Sequence, residues 1–431
     1  MNFKKNHLFT WKTTKAEAIN TYLENEIAKI EKQNGLVFID TVENETKTFP
    51  DTVLEYMEKH IQGLLKKNRI GEYERYKSLK NKLILFLKTK EKSDFEFDEV
   101  DLPFLTQFDA FVRSTVKAQA TVHGDVKKFG TIYRKAIAED KYVPKMNPFL
   151  YFKNVVGESK KYALSIEQVK HLEANSNYPG NLDIDTFHAL NTFLFQIYAS
   201  GLRVSDTLSL KWKNVSGTQI VTDIRKSKKI ATIPLKGSPK TINIIRYYMP
   251  GDYKMAYLMD FNDPLMEKTL TPDEATKLNK NIRMNFVVKD DGTFIDHTRI
   301  DFYFDDPFRL NHLLEMYAEI SMSESNKQHI FPYIYEDTSR MTELAYYDLL
   351  GTRTVKYNKH LKKLMPILKT NISLSSHISR HTFANIAKAR VGVDQVAQML
   401  VHSSMAQTQT YLDQIEDETM NQEKINIINS F

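Results

Sequence analysis

The feature that most constrains the fold of this chain is an apolar stripe at helical spacing between residues 122 and 137. Its members fall at i, i+4, i+7, i+10, i+11, i+14 and i+15: Val122, Val126, Phe129, Ile132, Tyr133, Ala136 and Ile137. Apolar residues at this period line one face of an α-helix that packs against a core. Four basic residues lie off the stripe: Lys127, Lys128, Arg134 and Lys135. The segment therefore predicts an amphipathic helix whose outer face suits a phosphate backbone.

A second basic helical segment precedes this stripe. Residues 52–92 are strongly helical with a break near Asn68–Gly71, and residues 66–92 carry a net charge of +7. One such run alone is usually a solvated helix face. Two in the same region favour a small helical DNA-binding domain. Its candidate DNA contacts are Lys66, Lys67, Arg75, Lys77 and Lys80, together with Lys127, Lys128, Arg134 and Lys135.

Composition narrows the class of protein. The 431 residues are enough for two or three domains, and the net charge of +6 is compatible with a nucleic-acid partner. The absence of cysteine excludes disulfides, thiolate catalysis and Cys-ligated zinc. No secretory signal and no apolar run of the length of a membrane span is visible. We therefore expect an intracellular, cytoplasmic protein without a membrane partner.

The rest of the chain is mainly helical with one small β-hairpin. The sequence is helical to about Trp212, alternates as two strands over Gln219–Ile224 and Ile230–Leu235, and returns to helix at Thr241–Tyr248. Residues 250–325 carry a net charge of −7 and differ in character from their surroundings, which predicts an insertion. From Phe331 the sequence is helical almost to its end.

Four short segments of the second half hold residues suited to chemistry. They are Gly201-Leu-Arg203-Val-Ser-Asp206, the hairpin from Lys226 to Pro234, His377-Ile-Ser-Arg380-His-Thr-Phe-Ala, and Leu400-Val-His402-Ser-Ser leading to Thr410-Tyr411. Each segment alone has an ordinary structural interpretation: a helix ion pair, a solvated lysine or a packed tyrosine. Their joint order and spacing are what favour a shared function.

In this order and spacing, the segments resemble the signatures of tyrosine recombinases, the phage integrase family. The resemblance covers residues 163–245 and 328–431, and it extends more loosely over residues 52–155, which resemble the family's core-binding domain. It implies a helical, SAM-like core-binding domain at 51–157 and a mixed α/β catalytic domain at 158–431 that carries the acidic insertion. Residues 1–50 are a candidate for part of an arm-site DNA-binding region.

The residue types fit the chemistry that the resemblance implies. Two guanidiniums, Arg203 and Arg380, can clamp the non-bridging oxygens of a phosphodiester under attack. Tyr411 is the expected nucleophile, and since a tyrosine hydroxyl has a pKa of ~10 it needs nearby cations and a proton acceptor. By analogy with the family, His377 accepts that proton. Lys226 would protonate the departing 5′ oxygen.

The remaining assignments are secondary. His402 would hydrogen-bond a phosphate oxygen, and Asp206 would orient Arg203. Lys226 is preferred over the other hairpin lysines because it lies eight residues before Pro234, as in the family pattern, so Lys228 and Lys229 are expected to contact the DNA backbone. No metal or other cofactor is expected. Val401 departs from the pattern, since the family usually has glycine before the second histidine.

Three functions use these residues differently. The first is an integrase of a phage or mobile element that acts on double-stranded DNA as a homo-oligomer, from dimer to tetramer, with a host DNA-bending protein as a candidate partner. The second keeps the chemistry in a dimer-resolving recombinase or a type IB topoisomerase-like enzyme. The third is a non-catalytic DNA-binding protein, which the occupation of all six expected catalytic positions disfavours.

Overall fold

The structure, a computed structural model, describes most of the two predicted domains. The described residues are 52–115, 119–139, 141–154, 161–174, 182–253, 267–268, 286–288, 294–296, 307–368, 373–401, 408–409 and 412. Several sequence predictions lie outside them: the segment 1–50, most of the acidic block, His402 and Tyr411. Among the described helices, none is both long and apolar enough to cross a membrane.

The first domain is helical throughout its described part. Its helices are α1 (Val53–Lys66), α2 (Ile70–Lys88), α3 (Leu102–Thr115) and α4 (Gln119–Ala138), with 3₁₀ turns at Phe97–Glu99 and Pro148–Leu150. The break predicted near Asn68 falls between α1 and α2, where Asn68 has a φ of 53°. Asparagine enters this left-handed region more readily than most residues, so the chain reverses there without glycine.

An aromatic core holds these four helices together. The predicted stripe is the inner face of α4, where Phe129 and Ile132 are fully buried. The Phe129 ring packs at 6.1 Å from Phe104 and 6.0 Å from Phe108, and Phe86 reaches the same two rings at 5.4 and 5.5 Å. These tilted and edge-on contacts are the arrangements that aromatic rings favour. The prediction of an amphipathic helix over residues 122–137 is confirmed.

The second domain is mostly helical with a small sheet. Its helices are α5 (Ile166–Ala174), α6 (Ile184–Tyr198), α7 (Val204–Leu208), α8 (Pro239–Arg246), α9 (Pro307–Met322), α10 (Glu343–Leu361), α11 (Met365–Leu368), α12 (Ser376–Lys388) and α13 (Val393–Met399). Short 3₁₀ turns lie at Trp212–Asn214, Glu324–Lys327, Thr338–Arg340 and Lys362–Leu364. Helix α6 is buried on nearly every side and packs against α5, α8, α10 and α12, so it is the axis of this domain.

Strands β1 (Gln219–Asp223) and β2 (Ile230–Pro234) form the predicted hairpin. They pair antiparallel from Gln219 opposite Pro234 to Asp223 opposite Ile230. Ile220 and Ile233 face the core and are almost fully buried. The hairpin and the mainly helical fold class are therefore confirmed. Within the acidic block, β3 (Glu267–Lys268), β4 (Phe286–Val288) and β5 (Phe294–Asp296) form a second antiparallel sheet in the order β3-β5-β4.

Part of the predicted insertion at 250–325 packs into the core of the second domain. Helix α9 belongs to the core of the second domain, because Leu313 and Tyr317 are fully buried and the Tyr317 hydroxyl donates to the Ile242 carbonyl at 2.8 Å. The Tyr317 ring also lies 5.4 Å from Trp212. The net charge of the block sums residues from both the exposed and the buried face of α9, so charge alone does not show that this helix packs into the core.

The two domains meet through helices α2 and α10. Leu344, in the first turn of α10, packs against the core of the first domain. One turn on, the Tyr347 ring lies against Gly71, where an added Cβ would sit 3.8 Å from it. This contact places the first two turns of α10 between the first domain and the hairpin.

Candidate active site

A tight turn after α6, formed by residues 199–203 and called the arginine turn below, presents Arg203. Ser200 and Gly201 both have positive φ, at 56° and 67°. A Cβ on Gly201 would lie 3.2 Å from both Leu400 and Phe383, so the position needs glycine for its conformation and for the close approach of its neighbours. This explains the glycine of the Gly201-Leu-Arg203 segment. Arg203 then occupies the N-cap position of α7, where its backbone is extended.

A buried glutamine supports this turn from below. The Gln196 carbonyl accepts from the Gly201 N–H at 2.8 Å, and its side-chain Nε2 donates to the Leu202 carbonyl at 3.0 Å. The remaining side-chain oxygen accepts from the Tyr357 hydroxyl of α10 at 2.8 Å. Gln196 and Tyr357 are both fully buried, so these bonds stay out of competition with water.

Arg380 joins three segments of the candidate site. It is buried on α12, where Nη1 donates to the Gly201 carbonyl at 2.7 Å and Nη2 donates to the Leu400 carbonyl at 2.6 Å. These bonds orient the plane of the guanidinium between the arginine turn and the end of α13. The predicted partners Arg203 and Arg380 therefore lie on adjoining elements.

The start of α12 is anchored by α10. The Ser376 N–H donates to Asn358 Oδ1 at 2.8 Å, one residue before His377. The imidazoles of His377 and His381 are successive on this helix, with ring centroids 6.4 Å apart. Helix α10 thus supports both the arginine turn, through Tyr357, and the helix that carries His377 and Arg380.

His377 lies in the electrostatic field of several cations. Its side chain still reaches solvent, yet partial desolvation lowers its pKa, and the positive charges of Arg380, Lys226 and Arg203 lower it further. A lowered pKa keeps the imidazole neutral near pH 7, which is the form that accepts a proton. The structure therefore brings together four of the predicted catalytic residues.

Lys226 lies in the loop that closes the hairpin. The loop is held by the Ile224 N–H to the Lys229 carbonyl and by the Lys228 N–H to the Ile224 carbonyl, both at 2.8 Å. Desolvation lowers the pKa of Lys226, and the charges of Arg203, Arg75 and Arg380 lower it further. A lowered pKa makes the ammonium a better proton donor.

Asp206 is fully buried on α7, beside the predicted clamp. Burial raises its pKa, while a hydrogen bond from Arg225 and the charges of Arg203 and Arg380 oppose that shift. The hydrogen bond runs from the Arg225 backbone N–H to Asp206 Oδ1 at 3.1 Å. The sequence predicts that Asp206 orients Arg203. In the structure, Asp206 also accepts a hydrogen bond from the base of the hairpin.

His402 and Tyr411 lie outside the described residues, whereas Val401 and Leu412, next to them in the chain, are described. Leu412 is buried in a small cluster with Leu400 and with Ala384, which lies on the helix that carries Arg380. Val401 has a φ of 51°, a conformation that is costly for a β-branched residue. Glycine adopts this left-handed conformation without strain, which gives a physical reason for the glycine expected at this position.

The predicted DNA contacts divide into two groups. Exposed side chains belong to Lys66, Lys67, Arg75, Lys77, Lys127, Arg134, Lys228 and Lys229. Three others are paired within the first domain: Lys80 with Glu58 at 2.7 Å, Lys128 with the buried Asp125 at 2.7 Å, and Lys135 with Glu139 at 3.4 Å. Asp125 also pairs with Lys82. Because the paired carboxylates offset part of their charge, Lys80, Lys128 and Lys135 offer less positive charge to DNA than the sequence suggested.

Sequence reasoning missed the residues that support the site. Gln196, Tyr357 and Asn358 belong to no motif, and only the packing of α6 and α10 brings them to the arginine turn and α12. Lys161 is a further cation whose charge lowers the pKa of His377 and of His381, although desolvation lowers both pKa values more. Its position near the start of the predicted catalytic domain was the one signal available for Lys161.

Residues 52–155 match the family model of the phage integrase SAM-like domain. No curated protein sequence matches the chain. Among solved structures, a lambda integrase dimer bound to a COC′ core site is similar at a TM-score of 0.49 and 10% identity, over 84% of this chain and 96% of that one. A lambda integrase tetramer bound to a Holliday junction is similar at 0.46 and 11%, over 92% and 87%.

The integrase of the Tn1549 transposon, in complex with a circular intermediate DNA, is similar at a TM-score of 0.43 and 14% identity, over 87% of this chain and 99% of that one. Likeness at this level does not bear on the role of any residue. The family model agrees with the helical first domain, and it confirms the looser resemblance of residues 52–155 to the family's core-binding domain. Residues 52–155 are therefore a phage integrase SAM-like domain, and the motifs around Arg203 and Arg380 resemble those of the tyrosine recombinases.

Proposed function

We propose that the protein is a site-specific DNA recombinase that cuts and rejoins DNA through a 3′-phosphotyrosyl bond to Tyr411. The observation that carries the proposal is the convergence of Arg203, Lys226, His377 and Arg380 from three separate segments. Their mutual electrostatic influence is reflected in the lowered pKa values of His377 and Lys226. Such shifts in a cluster of cations are typical of a site that binds and activates an anion.

The chemistry follows from these groups. Arg203 and Arg380 would stabilise the charge that grows on the scissile phosphate, where removal of one donor typically costs ~10²–10³ in rate. The neutral His377 would accept the proton of the Tyr411 hydroxyl as its oxygen attacks phosphorus. Lys226 would give a proton to the 5′ oxygen as its bond to phosphorus breaks. His402 would hold a non-bridging oxygen.

The proposed reaction conserves the energy of the broken bond. One phosphodiester is exchanged for one phosphotyrosyl ester, and attack by a 5′ hydroxyl restores the first. Rejoining therefore uses no ATP, and side chains supply both the nucleophile and the cations, so the proposal includes no metal.

The partner is double-stranded DNA, bound by a homo-oligomer that forms a dimer or tetramer in synapsis. The exposed basic residues of the first domain support DNA binding on that side of the site. A host DNA-bending protein remains a candidate partner. In a prokaryotic host this activity would place the protein in the cytoplasm with the nucleoid.

A suicide substrate tests the central step. A nicked target site loses a short fragment after cleavage, so the covalent protein–DNA adduct accumulates and is visible on a denaturing gel. Tyr411→Phe should form no adduct and should bind DNA within a few-fold of the unmodified protein. Tyr151→Phe, which changes an exposed tyrosine of the first domain, is the matched control and should form adduct normally. Adduct in the Tyr411→Phe protein would contradict the assignment.

Lys226 has its own test. A substrate with sulfur in the 5′ bridging position leaves without a proton, because a thiolate is a good leaving group. Lys226→Ala should cleave the oxygen substrate slowly and the sulfur substrate at nearly the normal rate. If sulfur gives no rescue, the acid is another group, with Lys228 and Lys229 the next candidates.

Integration and dimer resolution are separated by the substrates that recombine. An integrase joins sites on two different DNA molecules, a resolvase prefers two sites on one molecule, and a type IB topoisomerase relaxes supercoils without site specificity. We expect intermolecular recombination between specific sites. A protein that binds DNA and forms no adduct on any of these substrates would be a non-catalytic binder.

A further inference from the structure

We propose that Arg225 is a positioning residue for Lys226, which it holds in place by locking the base of the hairpin onto helices α7 and α10. The inference rests on the proposed function, in which Lys226 is the general acid. Arg225 stood in the sequence only as one of several basic loop residues. Its contacts single it out.

Both the backbone and the side chain of Arg225 are bound. Its N–H donates to the buried Asp206 at 3.1 Å. Its guanidinium donates from Nη2 to Glu343 Oε2 at 3.0 Å and stacks over the Tyr346 ring, with Cζ 4.8 Å from the ring centroid. A planar guanidinium can pair with a carboxylate and stack on an aromatic face at once, which lysine cannot do in the same way.

The aromatic half of this lock is itself fixed. The Tyr346 hydroxyl donates to Ser209 Oγ at 3.0 Å, just after α7. The ring is therefore tied to the same element that carries Asp206. The three contacts of Arg225 come from two elements that are already joined to each other, so they define one position for the start of the loop.

Lys226 follows this anchor directly. Its own side chain is long and exposed, and such a chain loses much rotamer entropy when its ammonium is held at one point. The backbone position that Arg225 sets limits the region that the ammonium can reach. Displacement of about 1 Å at a reacting group can cost ~10²-fold in rate. Loss of the anchor should therefore reduce proton delivery without removing the proton donor.

The same two turns of α10 also contact the first domain. Leu344 and Tyr347 lie beside Glu343 and Tyr346 in the chain, and they contact the first domain's core and Gly71. Consistent with this closeness, the charge of Arg75 on α2 contributes to the lowered pKa of Lys226. The anchor of the hairpin and the docking surface of the first domain are thus one rigid segment.

The sulfur substrate separates positioning from DNA contact. In single-turnover cleavage at saturating DNA, Arg225→Gln and Glu343→Gln should both be slowed on the oxygen substrate, by up to ~10²-fold. Both should cleave the 5′-sulfur substrate within a few-fold of the unmodified protein. Glu343→Gln leaves the arginine charge in place, so the same pattern in this variant shows that the lock matters and not the charge. Arg225→Gln combined with Lys226→Ala should be no slower than Lys226→Ala alone.

The matched control is Lys236→Gln, which removes one exposed charge at the other end of the hairpin. It should cleave both substrates normally. If Arg225→Gln is slow on both substrates, or cleaves normally once DNA is saturating, Arg225 is a phosphate or binding contact and the proposal is wrong. If the sulfur substrate does not rescue Lys226→Ala, then Lys226 is not the general acid and the proposed function is wrong on that point. That outcome is distinct from the failure of Arg225 as a positioning residue, which is seen only when Lys226→Ala is rescued.

Discussion

Replacement of Tyr357 by phenylalanine would remove a single hydroxyl from the buried support of the arginine turn. That hydroxyl donates to Gln196 Oε1 at 2.8 Å, and the other end of the same amide donates to the Leu202 carbonyl beside Arg203. The ring of Tyr357 can stay packed, since both side chains are fully buried and phenylalanine preserves the shape. The change therefore isolates one hydrogen bond.

The expected magnitude follows from burial. A buried acceptor that loses its partner costs about 1–3 kcal/mol of unfolding free energy. Tyr151 provides the matched control, because the same change there removes a hydroxyl from an exposed side chain. Tyr151→Phe should be neutral, since an exposed hydroxyl exchanges its hydrogen bonds with water.

Urea unfolding of the two variants measures this difference directly, as a shift of midpoint at constant slope. Single-turnover cleavage at saturating DNA then tests the consequence for Arg203. We expect Tyr357→Phe to cleave more slowly, by up to ~10²-fold, and Tyr151→Phe to cleave normally. Equal unfolding midpoints for the two variants would refute the argument that the Tyr357–Gln196 bond supports the turn.

Three further predictions follow from single positions. Gly201→Ala should lose about 1–2 kcal/mol of unfolding free energy, because alanine resists a φ of 67° and its Cβ would crowd Leu400; an unchanged urea midpoint would contradict this. Val401→Gly should leave stability unchanged or raise it by up to about 1 kcal/mol, since glycine relieves a φ of 51°, whereas Val391→Gly, at a position packed on the small cluster, should only destabilise. His329 is buried with its pKa lowered to about 4, mainly by desolvation, so the unfolded chain binds the extra proton below its ordinary pKa of 6.5. Its contribution, at most about 3 kcal/mol, is fully present above pH 6.5 and is lost as pH falls toward 4, and His329→Asn should flatten that dependence in urea unfolding.

The sequence predicted the elements whose signals are local. The stripe from Val122 to Ile137 became the inner face of α4, and the alternation around Ile220 and Ile233 became the hairpin, because each pattern has the period of its own element. The helix break at Asn68 was also visible, since it depends on residues that are adjacent in the chain.

Other outcomes needed the whole structure. Lys128 and Lys135 had the same appearance as Lys127 in the sequence, yet they pair with Asp125 and Glu139. Charge does not report which face of α9 is buried, so only the structure shows that this helix, at the end of the predicted acidic insertion, packs into the core. Tyr357 and Asn358 support the site without any motif, since they act through contacts with residues far away in the chain.

The sequence by itself determined the kinds of side chain at the candidate site and the helices and hairpin that carry them. The types and order of Arg203, Lys226, His377 and Arg380 specify cations and a proton acceptor for an anion, and those properties belong to the side chains themselves. Only the tertiary structure decided how these groups are held. Helix α10 touches the arginine turn, the start of α12, the base of the hairpin and the first domain, and which distant residues meet along one buried helix is set by the packing of the core as a whole.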